Sequence, residues 1–159
     1  MRTVYRVLAF AVAGLVVVQA AAIAFAVFGL FAWVQQGGTL DASNMGPESS
    51  VSFPGVVGFM IHGMFGTLVI PVVALLLLVS SFFAKTAGAV RWGVIVFVTT
   101  AVQVVLGMAA HGLAKLGILH GIVALVMFGA AVMAAMQTRR VVAATPADSA
   151  SPAAPVASS

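Results

Sequence analysis

The sequence predicts an all-α fold, an antiparallel bundle of four transmembrane helices with both termini in the cytoplasm. The chain of 159 residues is 63% hydrophobic and only 6% charged, whereas soluble domains carry about 25% charged residues. Its mean hydropathy is +1.22. The apolar residues fall into four stretches of membrane-spanning length, separated by segments that contain charged residues, glycine or proline.

The four predicted helices differ in length and in their breaks. The first covers residues 7–34, well beyond the apolar core of about 7–15 residues in a signal peptide, so we expect a retained, tilted helix. The second covers residues 54–84 and contains Pro71, which lacks a backbone donor and should kink the helix. The third and fourth cover residues 92–111 and 116–137, close to the ~20 residues that cross a bilayer.

The chain divides into one bundle, residues 1–140, and a tail, residues 141–159. The tail consists mainly of Ala, Pro, Ser and Val without periodicity, so we expect a disordered cytoplasmic extension. The segment between the first two helices, residues 35–53, is polar and rich in turn residues. Since the chain has no cysteine, disulfides, thiolate metal sites and covalently attached haem are excluded.

The basic residues indicate the orientation of the bundle. If the four helices alternate in direction, Asp41, Glu48 and Lys115 lie on one side of the membrane. Six of the seven basic residues lie on the other side, which the positive-inside rule assigns to the cytoplasm. We therefore expect a multi-pass protein of the bacterial inner membrane, and we do not expect the net charge of +4 to bind nucleic acid. The six residues are Arg2, Arg6, Lys85, Arg91, Arg139 and Arg140.

Three histidines, each followed by glycine, carry most of the chemistry that the apolar spans offer. His62, His111 and His120 all fall in the outer half of the membrane in this topology. An ionisable side chain at that depth is costly and marks a candidate functional site. Because no Asp or Glu lies within a span, proton translocation is disfavoured. A three-histidine zinc or copper site lacks the acidic partners that commonly orient such ligands.

The interpretation that we favour is a non-covalent b-type haem, with His62 and His120 as axial ligands from the second and fourth helices. His111 is the alternative ligand, although simple solvation is the stronger interpretation for that residue. Small residues near the two ligands are expected to make room for a flat cofactor. They are Gly58 and Gly66, four residues before and after His62 on one helix face, and Gly121 beside His120. Ordinary helix packing explains the same glycines and stays open.

Three polar residues complete the candidate site. Gln19 and Gln103 lie within apolar spans, where they can donate hydrogen bonds around the ligands or join neighbouring helices. Lys115 lies at the outer surface and is a candidate partner for a haem propionate, on the basis of its charge and depth alone.

Three segments resemble one four-helix half of haem A synthase: GFMIH at 58–62, VQVVLG at 102–107 and LHGIVA at 119–124. That family consists of two similar four-helix bundles, and the likeness covers about residues 55–136. It implies that His62 and His120 ligate a haem near the outer face. The family also has a glutamate shortly before the first of these histidines and usually an arginine after it. Here residues 56–61 hold no carboxylate, the next residue is Gly63, and the chain has about half the family's length.

The leading hypothesis is therefore a single-bundle cytochrome b-like protein of high-GC bacteria, binding haem b for electron transfer or haem handling. The alternative is a cofactor-free accessory subunit of a larger respiratory complex. A haem-modifying enzyme is the least favoured, because the carboxylate is missing. Expected partners are the lipid bilayer, a quinone or a respiratory-chain protein, and a second copy of the chain.

Overall fold

The computed structural model describes residues 1–41 and 51–143, with the backbone alone for residues 138–143. This part of the chain contains four long helices and no strand. They are α1 (Arg2–Gln35), α2 (Val56–Phe83), α3 (Ala89–Ala110) and α4 (Leu116–Ala143). Each has a stretch long and apolar enough to cross a membrane, which confirms the predicted all-α fold of four helices. The side of the membrane on which the termini lie stays a prediction.

The helices form a ring in which each one packs against its neighbours in sequence, and α4 closes the ring against α1. Helices α2 and α4 therefore stand on opposite corners. Short turns join α2 to α3 and α3 to α4, so consecutive helices run in opposite directions. We call the end where α2 and α4 begin the histidine end. The other end, which holds the N-terminus and the α2–α3 turn, is the basic end.

The basic end has a dense core because small side chains allow the helices to approach closely. Alanines from α1, α2 and α4 surround a few large side chains that are fully buried. The large side chains are Tyr5, Val12, Leu77 and Val96.

Hydrogen bonds from α1 hold the α2–α3 turn at this end. The hydroxyl of the buried Tyr5 donates to the carbonyl oxygen of Ala89 at 3.1 Å. The guanidinium of Arg2 donates to the carbonyl oxygen of Lys85 at 3.2 Å. The N-terminus and the α2–α3 turn therefore lie on the same side of the bundle, as the alternating topology requires.

Helix α4 holds the same turn through Gln137. With its carboxamide oriented to match donors to acceptors, Nε2 donates to the carbonyl oxygen of Ala87 at 3.0 Å. The Oε1 atom accepts a hydrogen bond from the indole nitrogen of Trp92 at 2.6 Å. Both partners lie near the start of α3.

The helix ends differ from the prediction at both termini. Helix α1 begins at Arg2 instead of residue 7, because residues 2–6 contain no helix-breaking residue and include the buried Tyr5. Helix α4 continues to Ala143 instead of residue 137, since the first proline of the tail is Pro146. The predicted disorder of residues 144–159 lies outside the described residues, as do residues 42–50 of the loop.

Helix α2 is not uniformly α-helical. An α-helical stretch, Val56–Met64, is followed by a π turn, Phe65–Val69, and a second α-helical stretch, Ile70–Phe83. The π turn ends two residues before Pro71, whose ring would clash with the carbonyl four residues earlier in a regular α-helix. The disturbance expected at this proline thus takes the form of a widened turn, a feature that is frequent at functional sites.

Candidate functional site: two facing histidines

A cavity of about 410 Å³ opens among the four helices in the half of the bundle near the histidine end. Its size falls in the range of about 300–1,000 Å³ that is usual for small-molecule sites. Val16, Ile70 and Met127 pack together below it, and Thr100 also lines the wall. The floor is therefore apolar and separates the cavity from the alanine-rich core.

His62 and His120 face each other across this cavity. Their ring centroids are 6.0 Å apart and their planes are inclined by 63°. His62 lies two turns into α2 and His120 one turn into α4, so the diagonal arrangement of these helices brings the two side chains together. Two imidazole nitrogens that each lie about 2 Å from one metal ion put their ring centroids roughly 6 Å apart. The observed separation is close to this value.

Both histidines are held in the same way by a glutamine of the preceding helix. Nδ1 of His62 lies 3.1 Å from the backbone oxygen of Gln19, and Nδ1 of His120 lies 3.2 Å from the backbone oxygen of Gln103. A carbonyl oxygen only accepts, so each Nδ1 carries the hydrogen in this pairing and each Nε2 keeps its lone pair. Metal-binding histidines usually donate their second ring N–H in this manner.

His111 also lines the cavity but is oriented differently. Its exposed ring keeps Nδ1 against carbonyl oxygens of its own helix, at 3.1 Å from that of Gly107 and 3.3 Å from that of Met108. Among the described residues, no group of three or more His, Cys, Asp or Glu side chains is close enough to hold a metal ion. In this part of the chain, a three-histidine metal site therefore has no structural support.

The glycine stripe of α2 faces α1. A Cβ atom at Gly58 would overlap the carbonyl oxygen of Ala22, so the missing side chain lets α1 and α2 pack closely. Gly66 lies opposite the carboxamide of Gln19 and lines the cavity. Gly121 is exposed, with open space where its Cβ would lie. Only Gly66 of the three contributes to the cavity wall.

A further glycine, Gly107, provides clearance for the ring of His120 itself, a role that the sequence does not predict. A Cβ atom at Gly107 would lie 3.1 Å from Cε1 and 3.3 Å from Nδ1 of His120. Glycine here allows the imidazole of α4 to lie against α3. The spacing from His111, one turn along α3, gave no indication of this contact because the partner belongs to another helix.

The three polar candidates have different surroundings in the structure. Gln103 lines the cavity, and its Oε1 atom is buried without a hydrogen-bond partner. Such an acceptor is rare in folded proteins and suits a site that receives a ligand or water. Lys115 is exposed in the α3–α4 turn and lies outside the cavity wall. Gln19, a single polar residue in the middle of α1, turns out to contact the helix that carries His62.

Comparisons with models of protein families, with curated proteins and with solved structures find no match for this chain. The site is therefore interpreted from its own geometry.

Proposed function

We propose that the chain is an integral membrane, cytochrome b-like protein that binds one haem b between α2 and α4, with His62 and His120 as axial ligands. The observation that carries this proposal is the separation of the two imidazoles, 6.0 Å between centroids across a cavity. When bound, haem supplies one-electron redox chemistry.

Three features of the surrounding residues suit this role. The backbone carbonyls of Gln19 and Gln103 accept the Nδ1 hydrogens and leave the Nε2 lone pairs for the metal. The apolar floor of Val16, Ile70 and Met127 separates the cavity from the core at the basic end. The unpartnered oxygen of Gln103 can accept a hydrogen bond from a water molecule beside the ligand.

We propose electron transfer or haem handling near the outer face of a bacterial inner membrane, with a quinone or a respiratory-chain protein as partner. The distribution of basic residues supports this orientation, because it assigns the histidine end to the outside. The resemblance to one half of haem A synthase belongs to the same proposal. It extends to the two ligands and not to haem oxidation, since residues 56–61 hold no carboxylate.

The test uses three matched histidine variants of the detergent-purified protein. We expect His62→Ala and His120→Ala each to abolish the low-spin spectrum of reduced haem, because each removes an axial ligand. His111→Ala should keep that spectrum, since its ring is bonded to its own helix. Circular dichroism of each variant checks that the bundle is intact. If haem is lost only with His111→Ala, the assigned ligand pair is wrong. If all preparations are colourless, the chain is better explained as a cofactor-free subunit.

A further inference from the structure

We propose that Gln19 is a positioning residue for His62, which it holds by bridging the backbone of α2 beside the π turn. The effect of Gln19 on haem binding rests on the proposed function, whereas its contacts with α2 are present without haem. Gln19 is buried in the middle of α1, with 7% of its surface exposed. A buried carboxamide in a membrane span has to find its hydrogen-bond partners within the protein.

The carboxamide of Gln19 joins two backbone groups of α2. Oriented so that donors meet acceptors, Nε2 donates to the carbonyl oxygen of His62 at 3.0 Å, and Oε1 accepts from the N–H of Gly66 at 3.1 Å. A regular α-helix bonds these two groups directly, because residue i+4 donates to residue i. Gln19 thus spans one step of the helical ladder from a neighbouring helix.

This bridged step adjoins the point where α2 widens. The π turn begins at Phe65, and the N–H of Ile70 donates to the carbonyl oxygen of Phe65, five residues earlier. A side chain that enters the helical ladder is a known cause of such local distortion. Pro71 acts on the turn from its C-terminal side, and Gln19 acts from the N-terminal side. Together they set the height and rotation of His62 on α2.

Gln19 also contacts the imidazole of His62 from two directions. The ring nitrogen Nδ1 lies 3.1 Å from the backbone oxygen of Gln19 and 2.8 Å from its carboxamide nitrogen. Nδ1 cannot donate to the first and accept from the second in one tautomer. We assign the donation to the carbonyl, because His120 is paired in this way. The ring is then fixed with Nε2 free.

The two histidines thus share the backbone anchor and differ in their additional contacts. His120 has the backbone oxygen of Gln103 and the close backbone of Gly107, while the side-chain oxygen of Gln103 has no partner. His62 depends in addition on a side chain from α1. Removing that side chain should loosen one ligand and leave the other in place.

Gln19→Leu removes the bridge and keeps the side-chain volume similar. Gln137→Leu is the matched control, because Gln137 also bridges two groups through its carboxamide, at the basic end. In haem-free protein, hydrogen exchange of the amides of residues 64–70 should rise about tenfold in Gln19→Leu and stay unchanged in Gln137→Leu. Gln19→Asn, whose side chain is too short to form the bridge, should give the same rise. This variant tests the role of Gln19 if Gln19→Leu does not fold.

The haem-loaded protein supplies a second measurement. Reduced haem with two protein ligands binds carbon monoxide only when one ligand leaves, so a loosened His62 should speed binding by about tenfold in both Gln19 variants. The role of Gln19 would be overturned if both Gln19 variants kept the hydrogen-exchange rates and carbon monoxide kinetics of the wild-type protein. Equal changes in Gln137→Leu would also overturn it. A wild-type protein without haem contradicts the proposed function instead, and the exchange experiment then still tests Gln19.

Discussion

The imidazoles of His62 and His120 belong to helices on opposite corners of the bundle, yet their ring centroids lie only 6.0 Å apart. Each ring is anchored by Nδ1 to a backbone carbonyl of the preceding helix. Two helical hairpins, α1–α2 and α3–α4, thus present one histidine each to a shared cavity.

Gly107→Ala should weaken haem binding. The new Cβ would lie 3.1 Å from the ring of His120, so the ring has to move against its hydrogen bond to Gln103. We expect haem affinity to fall about tenfold, although alanine favours the helix by up to about 1 kcal/mol. Haem retained per chain after gel filtration measures the effect. Gly129→Ala is the control because its Cβ enters open space, and equal retention in the two variants contradicts the prediction.

Gln103→Leu should not lower, and is expected to raise, the thermal stability of the haem-free bundle. It removes a buried oxygen that has no hydrogen-bond partner, and such an atom costs about 1–3 kcal/mol. Gln19→Leu should do the opposite, because it removes both hydrogen bonds from the carboxamide to the backbone groups of His62 and Gly66. Melting curves in detergent compare the two. A lower midpoint for Gln103→Leu than for Gln19→Leu is inconsistent with this assignment.

Tyr5→Phe should destabilise the bundle by about 1 kcal/mol, because it removes the hydrogen bond to the carbonyl oxygen of Ala89. The haem spectrum should stay the same, since Tyr5 lies at the basic end, away from the cavity. Thermal denaturation and an absorption spectrum of the same preparation check both parts. A changed spectrum would show that the two ends of the bundle are coupled.

The orientation of the bundle can be tested with single cysteines, since the natural chain has none. Lys115→Cys and Lys85→Cys place thiols in exposed turns at the two ends. We expect a membrane-impermeant thiol reagent to label the first in intact cells and the second only after lysis, because the basic end should face the cytoplasm. The reverse labelling pattern would invert the topology and the proposed position of the haem.

Much of the fold follows from composition, since long apolar stretches in a bilayer have to form helices that satisfy their own backbone. The ends of the helices were harder to predict from the sequence. Arg2 and Arg6 did not stop α1, because charge alone does not break a helix and Tyr5 has a buried position to fill. The π turn of α2 adjoins a contact with Gln19, which no local pattern in α2 encodes.

The candidate site, too, could be predicted only in part. Alternating helices with histidines at similar depth were enough to suggest that His62 and His120 face each other. The role of each glycine could not be predicted in this way, because helical spacing shows which residues share a face and does not show which helix packs against that face. Gly58 meets α1, whereas Gly107, which we had not selected, meets His120. Gln19 and Gln103 stand out in the sequence as polar residues in apolar spans, but only the structure separates a bonded carboxamide from an unpartnered one.

The most direct test of the central claim is a reduced-minus-oxidised absorption spectrum of the wild-type protein, purified in detergent from cells with ample haem. Two imidazole ligands predict a sharp Soret band and α-band of low-spin haem, with about one haem per chain. A colourless protein whose circular dichroism shows an intact helical bundle would contradict the claim that His62 and His120 hold haem.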